Sequence, residues 1–212
     1  MDCAVGESKD WRTRAKERLA GRFLILDPMR RSFRDNEVDS SNEIVEFDLS
    51  ELARGAYIDC LLHESQRART QGAPLTLALL QIDGGPELLR QHGEVPFDRY
   101  MEQLGKAVQS IVRQTDLAIK YTSWALAVLL PDTPLSGAQM FAEKLKRSVS
   151  GLRPSWDGGQ MTISVALAEA IARHDYDNED IVTDLINRVE AGLEEARKRG
   201  GNEIVALEMA RT

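Results

Sequence analysis

Arg113 and Asp116 stand three residues apart in the stretch Arg113-Gln114-Thr115-Asp116. A guanidinium makes a bidentate, charge-assisted contact with a phosphate or a base edge, and a carboxylate accepts from neighbouring N–H donors. The pair also falls between a helical and a strand-like stretch, where Asp116 could cap a turn and Arg113 could pair with it locally. Other candidates are sparser. Asp83 closes an apolar run and Asp98 lies in a helical stretch, places where a lone carboxylate is ordinarily solvated. Arg197, Lys198 and Arg199 end a long helical pattern, where cations favour the negative end of the dipole. Cys3 and Cys60 lack CxxC spacing, and His63, His92 and His174 are scattered, so neither a metal site nor a cofactor is expected.

Positioning such residues takes a sheet with helices on it. The apolar residues from Leu49 to Arg69 recur at helical intervals, and Gln71-Gly72-Ala73-Pro74 stops that helix. "PLTLALLQID" reads as a strand covered on both faces. A helix is expected from about Pro96 to Val112. "DLAIKYTSWALAVLLPD" reads as a hairpin whose polar turn is Thr122-Ser123. "SGAQMFAEKLKRSV" follows as an amphipathic helix with Ser136 as its cap, then a strand at "QMTISVALAEA", a long helix ending at Gly200-Gly201 and a last strand at "NEIVALE". The expectation is an α/β (α+β) domain over residues 48–208, with a mixed sheet of about five strands flanked by helices. Residues 1–47 form an extension with a basic helical stretch and short strand-like runs, including "GRFLILDP".

The 212 residues are 42% hydrophobic and 29% charged, the makeup of a soluble globular protein. A net charge of -7 argues against the broad basic surface that nucleic acid requires. No apolar run approaches the ~18–20 residues of a membrane span, and the start lacks a secretory core. A cytoplasmic protein that binds neither nucleic acid nor membrane is therefore expected.

In order and spacing, the chain from about Leu49 to Val205 resembles the GGDEF domains of diguanylate cyclases. "PLTLALLQID" looks like that family's first strand and "IVRQTDLAIKY" like the run into its signature. "LAVLLPDTPLSGAQMFAEKLKRSV", "MTISVALA" and "VEAGLEEARKRGGNEIV" resemble the segments that follow it. The resemblance puts the signature on Thr122-Ser123-Trp124-Ala125-Leu126. In an active cyclase two glycines there admit the nucleotide, the next acid holds divalent metal, and the one after it supports deprotonation of the 3′-hydroxyl. Trp124 cannot bind metal, and Ala125 cannot accept a proton. The family's first metal-binding Asp falls on Gln81, while the second Asp of that pattern is kept as Asp83. The guanine-contacting Asn falls on Leu89, with the second guanine contact kept as Asp98. The phosphate-binding Lys falls on Arg197, and a further Arg on Gly201. Cyclase activity is therefore not expected.

The resemblance also implies a ligand site. Arg113 and Asp116 have the spacing of the family's inhibitory R-x-x-D site, which clamps cyclic di-GMP, and Lys144 falls where a helper Arg stands in some members. Two readings follow, with a residual diguanylate cyclase a distant third. One is a receptor for cyclic di-GMP. The other is a protein-interaction module whose old pocket is filled by Trp124 and Leu89, an exposed Trp124 favouring this second reading. A protein partner is expected in both, output passing through surface contacts with no second signalling domain attached, and a homodimer is possible.

Overall fold

The structure, a computed structural model, describes residues 49–154, 156, 161–171 and 176–207, with side chains from Tyr57 onward. The apolar run at 75–82 forms β1 (Leu75–Ile82) at the centre of a five-stranded sheet. Its lack of polar alternation follows from burial on both faces. Leu75, Leu77 and Leu79 point to one side, and Ala78, Leu80 and Ile82 to the other.

Helix α1 (Leu49–Gln71) stops at Gly72, whose φ of 66° turns the chain and returns its N–H to the Ala68 carbonyl. After β1 come α2 (Gly85–His92) and α3 (Glu94–Gln109), and then the hairpin β2 (Leu117–Thr122) and β3 (Ala125–Pro131). The chain continues through α4 (Leu135–Ser150), β4 (Ile163–Glu169), α5 (Asn178–Lys198) and β5 (Ile204–Leu207). β1 is antiparallel to β3 and β4, with Leu79 between Ala127 and Ala166. β5 runs parallel to β4 across the α5 crossover, giving the order β2-β3-β1-β4-β5. Helices α1 and α5 cover one face, and α3 and α4 the other. The expected mixed sheet flanked by helices is the observed one.

Four local expectations change. Helix α2 has no counterpart among the expected elements; Pro86 lies in its first turn, where a missing N–H leaves no bond unmade. The helix expected at 96–112 spans Glu94–Gln109. Ser136 does not cap α4, which starts one residue before it; the Glu169 carboxylate on β4 accepts the Leu135 N–H at 2.8 Å instead. The hairpin turn is Ser123-Trp124, because Thr122 still belongs to β2. The extension at 1–47 lies outside the described residues.

Tyr100 on α3 sits wholly in the core, its hydroxyl without a hydrogen-bond partner among the described residues. Burial pushes its pKa up to about 12. Unfolded tyrosine ionises near ~10, so this contribution to stability is fully present below about pH 10 and is lost as the pH rises through about 12. Tyr100→Phe is expected to leave neutral-pH stability equal or slightly higher, since a buried hydroxyl is removed, and to flatten the alkaline loss. Tyr57, also shifted upward by burial, retains part of that slope. Urea unfolding of both proteins at about pH 8 and about pH 11 checks this.

Candidate functional site

The period-2 alternation of the strands and one face of α5 converge at the end of the sheet. Leu79 and Gln81 of β1, Tyr121 and Thr122 of β2, Trp124 of the hairpin turn and Ala125 at the start of β3 meet Glu190, Leu193, Glu194 and Arg197 of α5 around a pocket of about 190 Å³. The α5 residues follow helical spacing along one side. Gln81 lies between Ala125 on β3 and Ser164 on β4. Leu126 points to the opposite core, beneath α3 and α4.

The pocket's charges are largely paired internally. Tyr121 donates its hydroxyl to Glu190. Arg197 donates through Nε and Nη2 to the two oxygens of Glu194, at 2.8 and 2.7 Å. This bidentate contact holds the Glu194 carboxyl below its ordinary range and raises the Arg197 guanidinium. Among the described residues no three His, Cys, Asp or Glu side chains gather as metal ligands.

Trp124 is half-buried and packs against both cores. Its carbonyl accepts the Ile82 N–H at 3.0 Å, and its N–H donates to Thr122 Oγ1 at 3.3 Å. Gly85 makes room for it: a Cβ there would stand 2.5 Å from Trp124 Cβ. Neither Thr122 nor Ser123 has a positive φ, and the strand register shifts between Lys120 and Thr122. The backbone of this turn therefore does not demand glycine.

Asp83 corrects the expectation of a solvated carboxylate. It accepts from Thr162 Oγ1 and Ser164 Oγ, each at 2.6 Å, and from the Asn202 N–H at 2.7 Å. One side chain thus ties the ends of β1 and β4 to the α5–β5 connection. Gly201, at φ 78°, packs so closely that a Cβ would lie 2.8 Å from Asp83 Cγ. Asp98 also has a partner, Lys120 at 3.7 Å, on the α3 side of the sheet. Leu89 packs against the core beneath α3 and α4. The pocket lining includes none of Asp83, Leu89, Asp98, Ser123 and Leu126.

Between α3 and β2, Asp116 Oδ2 accepts the Arg113 N–H at 2.7 Å and the Asp116 N–H returns to the Arg113 carbonyl at 3.1 Å. The capping alternative is thus realised for Asp116. The Arg113 side chain is exposed and makes no hydrogen bond or ion pair among the described residues. Lys144 is exposed on α4.

Residues 52–203 match the diguanylate cyclase GGDEF domain. The chain belongs to the GGDEF family. Diguanylate cyclase A of Treponema denticola is 23% identical over 130 residues, 61% of this chain and 34% of that protein. This chain therefore spans about a third of that relative's length. The GGDEF domain of DgcB from Caulobacter crescentus, solved in complex with c-di-GMP, has a TM-score of 0.62 at 21% identity, covering 71% of this chain and 88% of that one. SiaD of Pseudomonas aeruginosa, a diguanylate cyclase solved with its activator SiaC, has a TM-score of 0.65 at 21% identity, covering 96% of this chain and 69% of that one. These likenesses establish the GGDEF fold.

On this GGDEF scaffold Gln81, Thr122, Trp124, Ala125 and Arg197 line one pocket. Sequence reasoning missed Tyr121, Glu190 and Glu194. The signal for the last two was present in the spacing of 190, 194 and 197 on one helix face.

Proposed function

We propose that this GGDEF domain is a catalytically inactive signalling module that receives cyclic di-GMP through Arg113 and Asp116, with Lys144 adding charge. The reading is carried by the exposed, unpaired Arg113 side chain on the same turn as Asp116, whose carboxylate holds the Arg113 backbone N–H. The second Asp116 oxygen, Oδ1, has no hydrogen-bond partner among the described residues, and the N–H pair of a guanine edge would satisfy it once the side chain turns outward. Inactivity is supported by the pocket, where Gln81, Trp124 and Ala125 offer no carboxylate at the positions the resemblance gives to metal ligands and base. Transfer of a nucleotidyl group depends on metal charge held by oxygen ligands. DgcB, solved with c-di-GMP, supplies the precedent for this ligand on the fold.

Trp124 folds back against the core rather than standing out as an anchor, which removes the feature that would favour a pure interaction module. No described helix is long and apolar enough to cross a membrane. A protein partner and a homodimer remain part of the proposal.

Calorimetric titration of the whole chain with cyclic di-GMP is expected to show binding, weakened by Arg113→Ala by about ten- to a hundredfold, or ~1.5–3 kcal/mol. Lys144→Ala is expected to act less, and less still as salt rises. No heat from the wild type up to high micromolar ligand would remove the receptor reading and leave the interaction module. With GTP and Mg²⁺ or Mn²⁺ the protein is expected to form no cyclic di-GMP; product from the purified wild type would overturn the inactive reading.

A further inference from the structure

The pocket beside Trp124 has the opposite character to a phosphate site. Glu190 and Glu194 face it, and Glu194 is already engaged, chelated by Arg197 and paired with Lys198 at 3.7 Å. A phosphate entering here would meet two carboxylates and no disengaged cation. Glu190 has no ion-pair partner among the described residues, and the Tyr121 hydroxyl fixes the direction of its carboxylate. Tyr121 and Trp124 add aromatic side chains to the lining. At about 190 Å³, the space lies below the ~300 Å³ at which sites for drug-sized ligands begin, and suits something of side-chain size.

We propose that this pocket binds a small organic cation, a guanidinium or primary ammonium on a short apolar stem. Its charge pairs with Glu190, its stem lies against Trp124 and Tyr121, and the Gln81 side-chain carbonyl accepts a further N–H. The same chemistry is offered by a free amine or guanidine and by an Arg or Lys side chain on a peptide. The proposal rests on the reading that this pocket does not serve GTP.

The test titrates the full chain with n-butylguanidinium, with its neutral isostere n-butylurea, and with the capped peptide acetyl-Gly-Arg-Gly-amide, by calorimetry and ligand-observed NMR. The expected result is saturable binding of n-butylguanidinium at about millimolar concentration, with the urea at least about tenfold weaker. Glu190→Gln, on the exposed side of α5, is expected to weaken the cation about five- to tenfold, and Tyr121→Phe to weaken it less. Tighter binding of the peptide than of n-butylguanidinium would support a protein side chain as the natural occupant, and the reverse order a free small molecule. Equal binding of the urea, or no saturation by either cation up to about 20 mM, would overturn the proposal. Displacement of the bound cation by GTP with Mg²⁺ would overturn the inactive-pocket reading instead. If GTP has no effect, that reading stands whatever the cations do.

Discussion

Trp124→Ala is expected to destabilise the protein by about 2–4 kcal/mol, somewhat less than a fully buried indole would cost because this ring is half exposed to the pocket. The indole is packed against both cores, so its removal loosens two sets of contacts. Urea unfolding should show a lower midpoint at an unchanged slope. A companion variant isolates the packing. Gly85→Ala places a methyl 2.5 Å from Trp124 Cβ and must push the ring or α2 aside. In a Trp124→Gly background the same Gly85→Ala change should cost little, because the atoms it strikes are gone. Additive costs in that cycle would show that Gly85 and Trp124 are not coupled.

Asp83→Ala is expected to cost about 3–5 kcal/mol, since hydrogen bonds to a charged group contribute ~1.5–3 kcal/mol each and the three are not fully additive. Two of its donors are Thr162, just before β4, and Ser164 within it, and the third is the backbone of Asn202, at the entry to β5. Asp83→Asn should cost roughly half as much, because a hydroxyl can rotate to accept from the new amide whereas the Asn202 N–H can only donate. Hydrogen exchange gives an independent readout: the Asn202 amide should lose protection in the alanine variant while the centre of β1 keeps its own. A change in stability under about 1 kcal/mol would reduce Asp83 to a solvated carboxylate after all.

The sheet was legible because its signals are local. "PLTLALLQI" can only be a strand buried on both sides or a short buried helix, and Gly72 and Gly200-Gly201 punctuate the neighbouring helices. The gathering of Gln81, Trp124, Ala125 and Arg197 was legible only through the resemblance, since these positions are dispersed along the chain. What the sequence hid were partners distant along it. The role of Asp83 depends on hydroxyls about eighty residues away, visible only once β1 and β4 are paired. The cap of α4 likewise comes from Glu169 on another strand, so a rule that seeks a cap among adjacent residues selects Ser136. Helix α2 was hidden by Gly85 and Pro86, two residues that break helices in their interior and are tolerated at their start.

The central strand is also the first one synthesised among those described, and this has a kinetic consequence. β1 can take no neighbour until β3 has been made, and its other edge stays open until β4 follows, near the end of the domain. Its most apolar segment therefore waits longest for its second partner, which raises the contact order and slows folding relative to a protein whose strands pair in sequence. A nascent or truncated chain ending near residue 158 would hold β1 against β3 with its other edge bare, a template for association with further copies. Light scattering of that truncation beside the full chain, after dilution from denaturant, should show aggregation from the shorter chain first.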